Sequence, residues 1–175
     1  MKKALVFLFA AFGKLAYAQY KPVDIGSDIQ FKVRNFGFNV SGSLTGLSGR
    51  IKFDPELPAE ASFDVSVDPN TINTGIDMRD DHLKKFSYLD AKDHPSIRIV
   101  SDKIVGTSHK AVYTFYGKLT IKDHTQPVTF PFTAEATQGG YHFNGMFTIS
   151  RKDFDVGGSS TISDEIQISL SIIAK

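Results

Sequence analysis

The sequence contains no cysteine and no tryptophan, and neither sign of charge dominates it. Without cysteine there is no disulfide framework, no thiolate metal site and no lipoprotein anchor, so burial alone has to hold the fold. Twenty basic residues against 19 acidic ones, with no basic cluster, give no support to nucleic-acid binding. No apolar run is long enough for a membrane-spanning helix. Motifs that carry chemistry are missing too: there is no Gly-x-Ser-x-Gly elbow, no phosphate loop and no His-Glu-x-x-His helix. The histidines, at 82, 94, 109, 124 and 142, lack the short spacing of metal ligands, so no metal and no resident cofactor is expected.

What is present begins with Lys2 and Lys3, an apolar run over residues 4–12 and the small-x-small sequence Ala16-Tyr17-Ala18. These predict a secretory signal peptide over residues 1–18, cleavage before Gln19, and an exported protein, periplasmic or secreted. Losing Lys2, Lys3 and Lys14 leaves 17 basic against 19 acidic residues, a net charge of −2. Residues 19–175 suit one domain with a sizeable core.

Strand follows strand through that domain. Ile29, Phe31 and Val33 alternate with Gln30, Lys32 and Arg34, and the apolar phase then slips to Phe36, Phe38 and Val40, which predicts a bend, bulge or turn near Asn35. Phe63, Val65 and Val67 form the cleanest half-buried pattern, closed by Pro69 and Asn70. Further faces are Tyr113, Phe115, Gly117, Leu119 and Ile121; then Val128, Phe130, Phe132, Ala134 and Ala136; then Tyr141, Phe143, Gly145, Phe147 and Ile149. Ile166, Ile168, Leu170 and Ile172 end the series. Turn sequences separate them. The pattern predicts an all-β fold, an antiparallel meander of eight or nine strands closing on itself. A barrel of this size is either filled by its own side chains or holds one small ligand. Glycines and alanines beside rings favour a slot, and the pattern alone leaves both outcomes open.

The one long interval without alternation covers residues 74–99. Asp77 is placed to cap a helix, with Asp80 and Asp81 in the first turn. Met78, Leu83 and Phe86 would share one face, with His82 at its edge. Pro95 stops any continuation, and Ile97 and Ile99 open a new strand.

Several separated stretches, in this order and spacing, resemble the YceI-like family of exported bacterial lipid-binding proteins. They are Gly49-Arg50-Ile51-Lys52-Phe53-Asp54-Pro55, Thr74-Gly75 with Met78-Arg79-Asp80-Asp81-His82-Leu83-Lys84, and Tyr88-Leu89-Asp90 with His94-Pro95-Ser96-Ile97. Gly117-Lys118-Leu119-Thr120-Ile121 with Gln126-Pro127-Val128, and Ser150-Arg151-Lys152-Asp153-Phe154, complete the set. The chain departs from the family at Asp123-His124-Thr125 and at Asp155, where glycine-containing turns are more common. The resemblance implies an eight-stranded antiparallel lipocalin-like barrel with a short helical lid in the middle of the chain. It also implies a carrier that sequesters an amphiphilic lipid, a polyisoprenoid first among them. Homodimerisation is left open.

The expected slot residues are Phe31, Phe36, Phe38 and Phe63 from the first half, then Phe115, Leu119, Phe130 and Phe132, then Phe143, Phe147, Ile168 and Leu170. Met78, His82, Leu83 and Phe86 are expected to cover one end. For each of these, ordinary core packing is the plainer alternative. Asp80, His82 and Arg151 at the pocket mouth would serve an enzyme acting on a bound lipid, since a histidine beside carboxylates titrates near neutrality. Caps and salt bridges are the commoner use of such residues, with Arg151 and Asp153 pairing to the helix. A third reading, an outer-membrane barrel, requires the apolar face to point outward. The polar faces carry scattered charge and there are no aromatic girdles, which argues against it.

Overall fold

The alternation becomes nine strands and one α-helix among the residues described by the computed structural model, 19–158 and 161–175. The expected signal peptide lies outside the described residues. The strands are β1 (Gln19–Tyr20), β2 (Pro22–Asn35), β3 (Phe38–Lys52), β4 (Ser62–Asn73) and β5 (Ile97–Gly106). They continue with β6 (Val112–Ile121), β7 (His124–Thr137), β8 (Gly140–Ser150) and β9 (Ile162–Ala174). Each strand from β2 onward pairs antiparallel with the next, and β9 returns to pair with β2, so eight strands close into a barrel. The two-residue β1 is an added strand on β3. Closure removes the sheet edges and leaves only one inward face to bury.

The phase slip at Asn35 is a two-residue hairpin turn. Asn35 pairs with Phe38, and Phe36 and Gly37 between them both have positive φ. β4 does not end at Pro69. It runs on to Asn73 across an irregular stretch, since Thr45 faces Asp68 while Ser43, two residues away, faces Asn73. Proline has no N–H to donate, and an interrupted ladder does not ask it for one. Lys122 and Asp155 hold positive φ at or beside the two places where the sequence departs from glycine-containing family turns.

The helical interval is shorter than its pattern suggests. α1 (Asp77–Leu83) starts after Ile76, which occupies the cap position without a side-chain bond, so Asp77 is not the cap. Asp80 does the local work: buried in the first turn, its carboxylate accepts from the Thr74 N–H at 2.9 Å and from the Thr74 hydroxyl. The helix stops at Leu83, so Phe86 falls in the turns that follow and no longer shares its face.

Inside the barrel the two ends differ. At the end where β3 leaves and β6 and β8 begin, Phe53 meets Tyr113, Tyr141 and Phe143 edge-on at centroid distances of 5.1, 5.0 and 5.3 Å, and Phe63 and Phe132 close the cluster. Such edge-to-face contacts bring the positive edge of one ring to the negative face of another and each add about 0.5–1.5 kcal/mol to burial. That end is solid. Further up, Phe115, Phe130 and Phe147 form a stack with spacings of 4.9 and 4.4 Å. The expectation that glycines beside rings leave a gap fails locally, because the rings themselves lie over the glycines. A Cβ on Gly42 would sit 2.5 Å from Phe31 Cζ, and one on Gly145 would sit 3.1 Å from Phe130.

Candidate functional site

From its mouth down to Phe63, Phe132 and Phe143 the barrel is hollow, with the ring stack forming part of the wall. Alternation turns Ile29, Phe31 and Val33 of β2, Val65 and Val67 of β4, Ile97 and Ile99 of β5, and Ile166, Ile168, Leu170 and Ile172 of β9 onto a cavity of about 260 Å³. Leu83 of α1, with Tyr88 and Leu89 after it, closes part of the top. The wall is hydrocarbon, and polar side chains reach it mainly at the open end, where Asn35, Arg79 and Arg151 stand. A dry apolar cavity forfeits the dispersion contacts that its lining atoms would otherwise make, and it is not favourably filled by water.

The structure brings together eleven of the expected slot and lid residues around this space: Phe31, Phe63, Leu83, Phe115, Leu119 and Phe130, with Phe132, Phe143, Phe147, Ile168 and Leu170. It does not place Phe36, Phe38, Met78, His82 or Phe86 there. Phe36 and Phe38 belong to the projecting hairpin turn and are 74% and 77% exposed; Met78 and Phe86 are 84% and 77% exposed. Met78 points away because a one-sided helix of seven residues presents only Arg79 and Leu83 to the cavity. His82 is exposed and leans edge-on against Tyr88, 4.8 Å between centroids.

Arg79 and Asp80 are tied into one motif. Arg79 donates through Nε to the Thr74 hydroxyl at 2.7 Å and through Nη2 to the Thr74 carbonyl at 2.8 Å, while Asp80 takes the Thr74 hydrogens. The arrangement fixes a cation at the mouth and leaves its Nη1 turned away from Thr74. Arg151, 3% exposed, is fully engaged elsewhere. Its Nη1 donates to the carbonyls of Val156 and Gly158 at 2.7 and 2.9 Å. Nε and Nη2 donate to Ser163 and Ile162, each at 3.2 Å, and Nη2 also meets Asp164 at 3.2 Å. It clamps the chain between β8 and β9 instead of pairing with α1. Asp80, His82 and Arg151 therefore do not converge: one carboxylate is bonded to Thr74, the imidazole is in solvent, and the guanidinium is spent on backbone. No cluster of metal-ligating side chains occurs among the described residues.

Two of the lining residues that the sequence pattern passed over owe it to an irregularity in β3. Leu44 and Leu47 reach the cavity three residues apart, not two, because β3 is interrupted around Gly46, whose φ is +76°. Val65, Val67, Ile97 and Ile99 were legible from strict alternation on their strands.

The outward positions of the strands carry the polar side chains, among them exposed Lys32, Arg34, Lys118, Glu165 and Gln167. A transmembrane barrel has the opposite arrangement. No helix among the described residues is long and apolar enough to cross a membrane.

Known proteins share this chain's sequence and shape. The YceI-like domain family matches residues 20–174. A UPF0312 protein of Yersinia enterocolitica is 28% identical over 170 residues, 91% of this chain and 88% of its own. One of Pseudomonas aeruginosa is 28% identical over 178 residues, covering 94% and 90%. The crystal structure of BcnA from Burkholderia cenocepacia superposes with a TM-score of 0.81 at 29% identity, over 87% of this chain and 99% of that one. A polyisoprenoid binding domain from Saccharophagus degradans superposes with a TM-score of 0.73 over 91% and 98%, and at 12% identity it speaks to the fold alone.

Proposed function

The chain belongs to the YceI-like family, and from that premise we propose that it is an exported carrier that holds the hydrocarbon tail of an amphiphilic lipid, a polyisoprenoid first among them, and performs no chemistry on it. Export rests on the N-terminal sequence pattern, and the periplasm or the medium is the compartment it addresses. The observation that carries the reading is the hydrocarbon-walled cavity, open at one end and bounded at the other by the phenylalanine cluster of the closed end. The S. degradans neighbour, which shares the fold, is a polyisoprenoid binding domain.

Size sets how much tail the space takes. A dry apolar cavity of about 150 Å³ accepts benzene, and by that scale this one takes roughly ten carbons, or two prenyl units. Burying them is worth roughly 8 kcal/mol gross at about 0.8 kcal/mol per carbon. Association and chain ordering cost 4 kcal/mol or more. Two units alone therefore hold weakly, and firm retention needs further carbons on the apolar surface at the mouth, with the head group near Arg79 and Asn35. Only burial is asked of the protein, which fits side chains that make clamps instead of an acid and base pair.

Organic extraction and mass spectrometry of protein purified from its own host test the proposal. The expected product is a lipid with a prenyl chain. Recovery of no lipid, together with failure of the delipidated protein to retain geranylgeraniol, refutes it.

A further inference from the structure

The hairpin joining β2 and β3 breaks two rules at once. Its two-residue turn needs positive φ at both positions, for which Asn-Gly is the unstrained choice, yet Phe36 occupies the first with φ +50°. Phe36 and Phe38 also stand in water at 74% and 77% exposure. Among the described residues nothing compensates for either choice, since the one bond Phe36 makes there is from its backbone N–H to the Thr161 carbonyl. A local rule broken without compensation marks a place where a second body is expected.

Register says what that body must be continuous with. Phe38 lies on the same face of the ribbon as Val40 and, across the pair, Asn35 and Val33, all three of which line the cavity. The last β3 to β4 pair is Ser43 with Asn73, so the hairpin tip stands five residues, roughly 17 Å, beyond β4. The tip is thus an apolar path leading from open solvent to the mouth. Ile76, Met78 and Phe86, on the segment whose Arg79 and Leu83 face the cavity, are exposed at the same end. Charges around them are mixed: Arg34, Lys84, Lys85 and Lys122 accompany Asp77, Asp81 and Asp123. The surface is greasy without being cationic, which suits a zwitterionic bilayer and asks nothing of anionic lipid.

We propose that the mouth end docks on a phospholipid bilayer by inserting Phe36 and Phe38, so that a lipid tail passes between membrane and barrel along Phe38, Val40 and Val33 without crossing water. The inference rests on the carrier reading and specifies where loading happens. Insertion is held by apolar burial and is insensitive to salt.

The absence of tryptophan from the natural chain makes the test clean. Phe36→Trp and Phe38→Trp, made singly, report on the tip alone, and Met146→Trp reports on an exposed position of β8. With phosphatidylcholine vesicles, emission from both tip tryptophans should shift to the blue, equally at low and high salt, while that of Met146→Trp stays unchanged. The double variant Phe36→Ser with Phe38→Ser should partition onto vesicles about a hundredfold less, about tenfold for each ring, while still retaining geranylgeraniol supplied in solution to the delipidated protein, because neither ring lines the cavity. No vesicle-dependent shift at the tip, or an equal shift at Met146→Trp, overturns the proposal. So does a tip shift that follows protein concentration without vesicles, which would place a second copy on the hairpin. Lipid-loaded protein whose tip ignores vesicles refutes docking and spares the carrier reading; a vesicle-bound tip on protein that never holds lipid supports docking and refutes the carrier reading.

Discussion

Filling the hollow should stabilise the protein while ending its capacity for a tail. Val65 on β4 and Ile168 on β9 are half-buried, face the cavity from separate parts of the wall, and leave space in front of them. Residual cavity costs about 24 cal/mol per Å³, so 260 Å³ left empty costs on the order of 6 kcal/mol. Val65→Phe with Ile168→Phe adds about seven carbons, most of the roughly ten that fit, with an upper gain of 5–6 kcal/mol at about 0.8 kcal/mol each. Imperfect fit and rotamer restriction remove about half, leaving about 2–3 kcal/mol. That corresponds to a rise in Tm of roughly 4–12 °C for a domain this size. Urea and thermal unfolding of delipidated wild type and double variant measure the gain, and retention of geranylgeraniol measures the loss of capacity. A double variant that is less stable by about 1–3 kcal/mol, the penalty for overpacking a full core, and that still retains lipid would refute the cavity argument.

Three further outcomes are expected. Arg151→Met orphans the carbonyls of Val156, Gly158, Ile162 and Ser163; it should cost about 3 kcal/mol in urea unfolding, and a loss below about 1 kcal/mol would show the clamp to be idle. Asp80→Ala leaves the Thr74 N–H and hydroxyl without their acceptor and should cost about 1–3 kcal/mol, with amide exchange accelerated in residues 74–83 before the barrel strands. Burial, aided by nearby Asp54 and Glu56, raises the Tyr113 phenol above its ordinary value of 10.0, and burial, then Tyr20, Asp54 and Tyr113, does the same for Tyr141. A folded-state value above the unfolded one means that their contribution is complete below about pH 10 and is lost as pH climbs through the folded values. Tyr113→Phe with Tyr141→Phe should flatten that alkaline decline in unfolding free energy; an unchanged pH profile would exclude these phenols as its cause.

The barrel was legible because its inward positions obey the two-residue period almost throughout β6, β7, β8 and β9. Tyr113 through Ile121, Val128 through Ala134, and Tyr141 through Ile149 fall on the inward face where alternation puts them. Ala136 drops out because β7 runs past the barrel's rim there and the side chain meets solvent. The cavity was not legible in the same way. Whether inward rings meet at the axis depends on their tilt over neighbouring glycines, as at Gly42 and Gly145, and a pattern of residue types does not encode tilt. The lid failed differently. Periodicity assigned Met78, Leu83 and Phe86 to one face, but only Leu83 was captured, since a helix that ends at Leu83 cannot carry Phe86 around to it. Phe36 and Phe38 misled for the opposite reason: their apolar character was read as burial, while the turn between them lifts both beyond the barrel.

The contrast between the barrel's ends suggests how one small domain can keep a hole in its core. An empty half that costs on the order of 6 kcal/mol would by itself consume much of the 5–15 kcal/mol by which domains are stable. The closed end offsets it with six rings in mutual contact around Phe53 and Phe63, backed by Ile51 and Ile104, each 1% exposed. Strand pairing runs through both halves, so the solid end holds the register of the hollow one. Under the carrier reading this division has a functional consequence. Phe53, Tyr113 and Tyr141 of the closed end do not line the cavity and set stability with little influence on which tail is held, whereas Phe63, Phe132 and Phe143, with the stack from Phe115 through Phe130 to Phe147, line it and limit how deep a tail reaches. Phe147 ends that stack and is its least buried ring, lining the cavity with the other two. Phe147→Ala should therefore lower stability yet deepen the slot and move retention toward longer prenyl chains, measured by competition between farnesol and geranylgeraniol. An unchanged preference would mean that something other than the stack sets the depth.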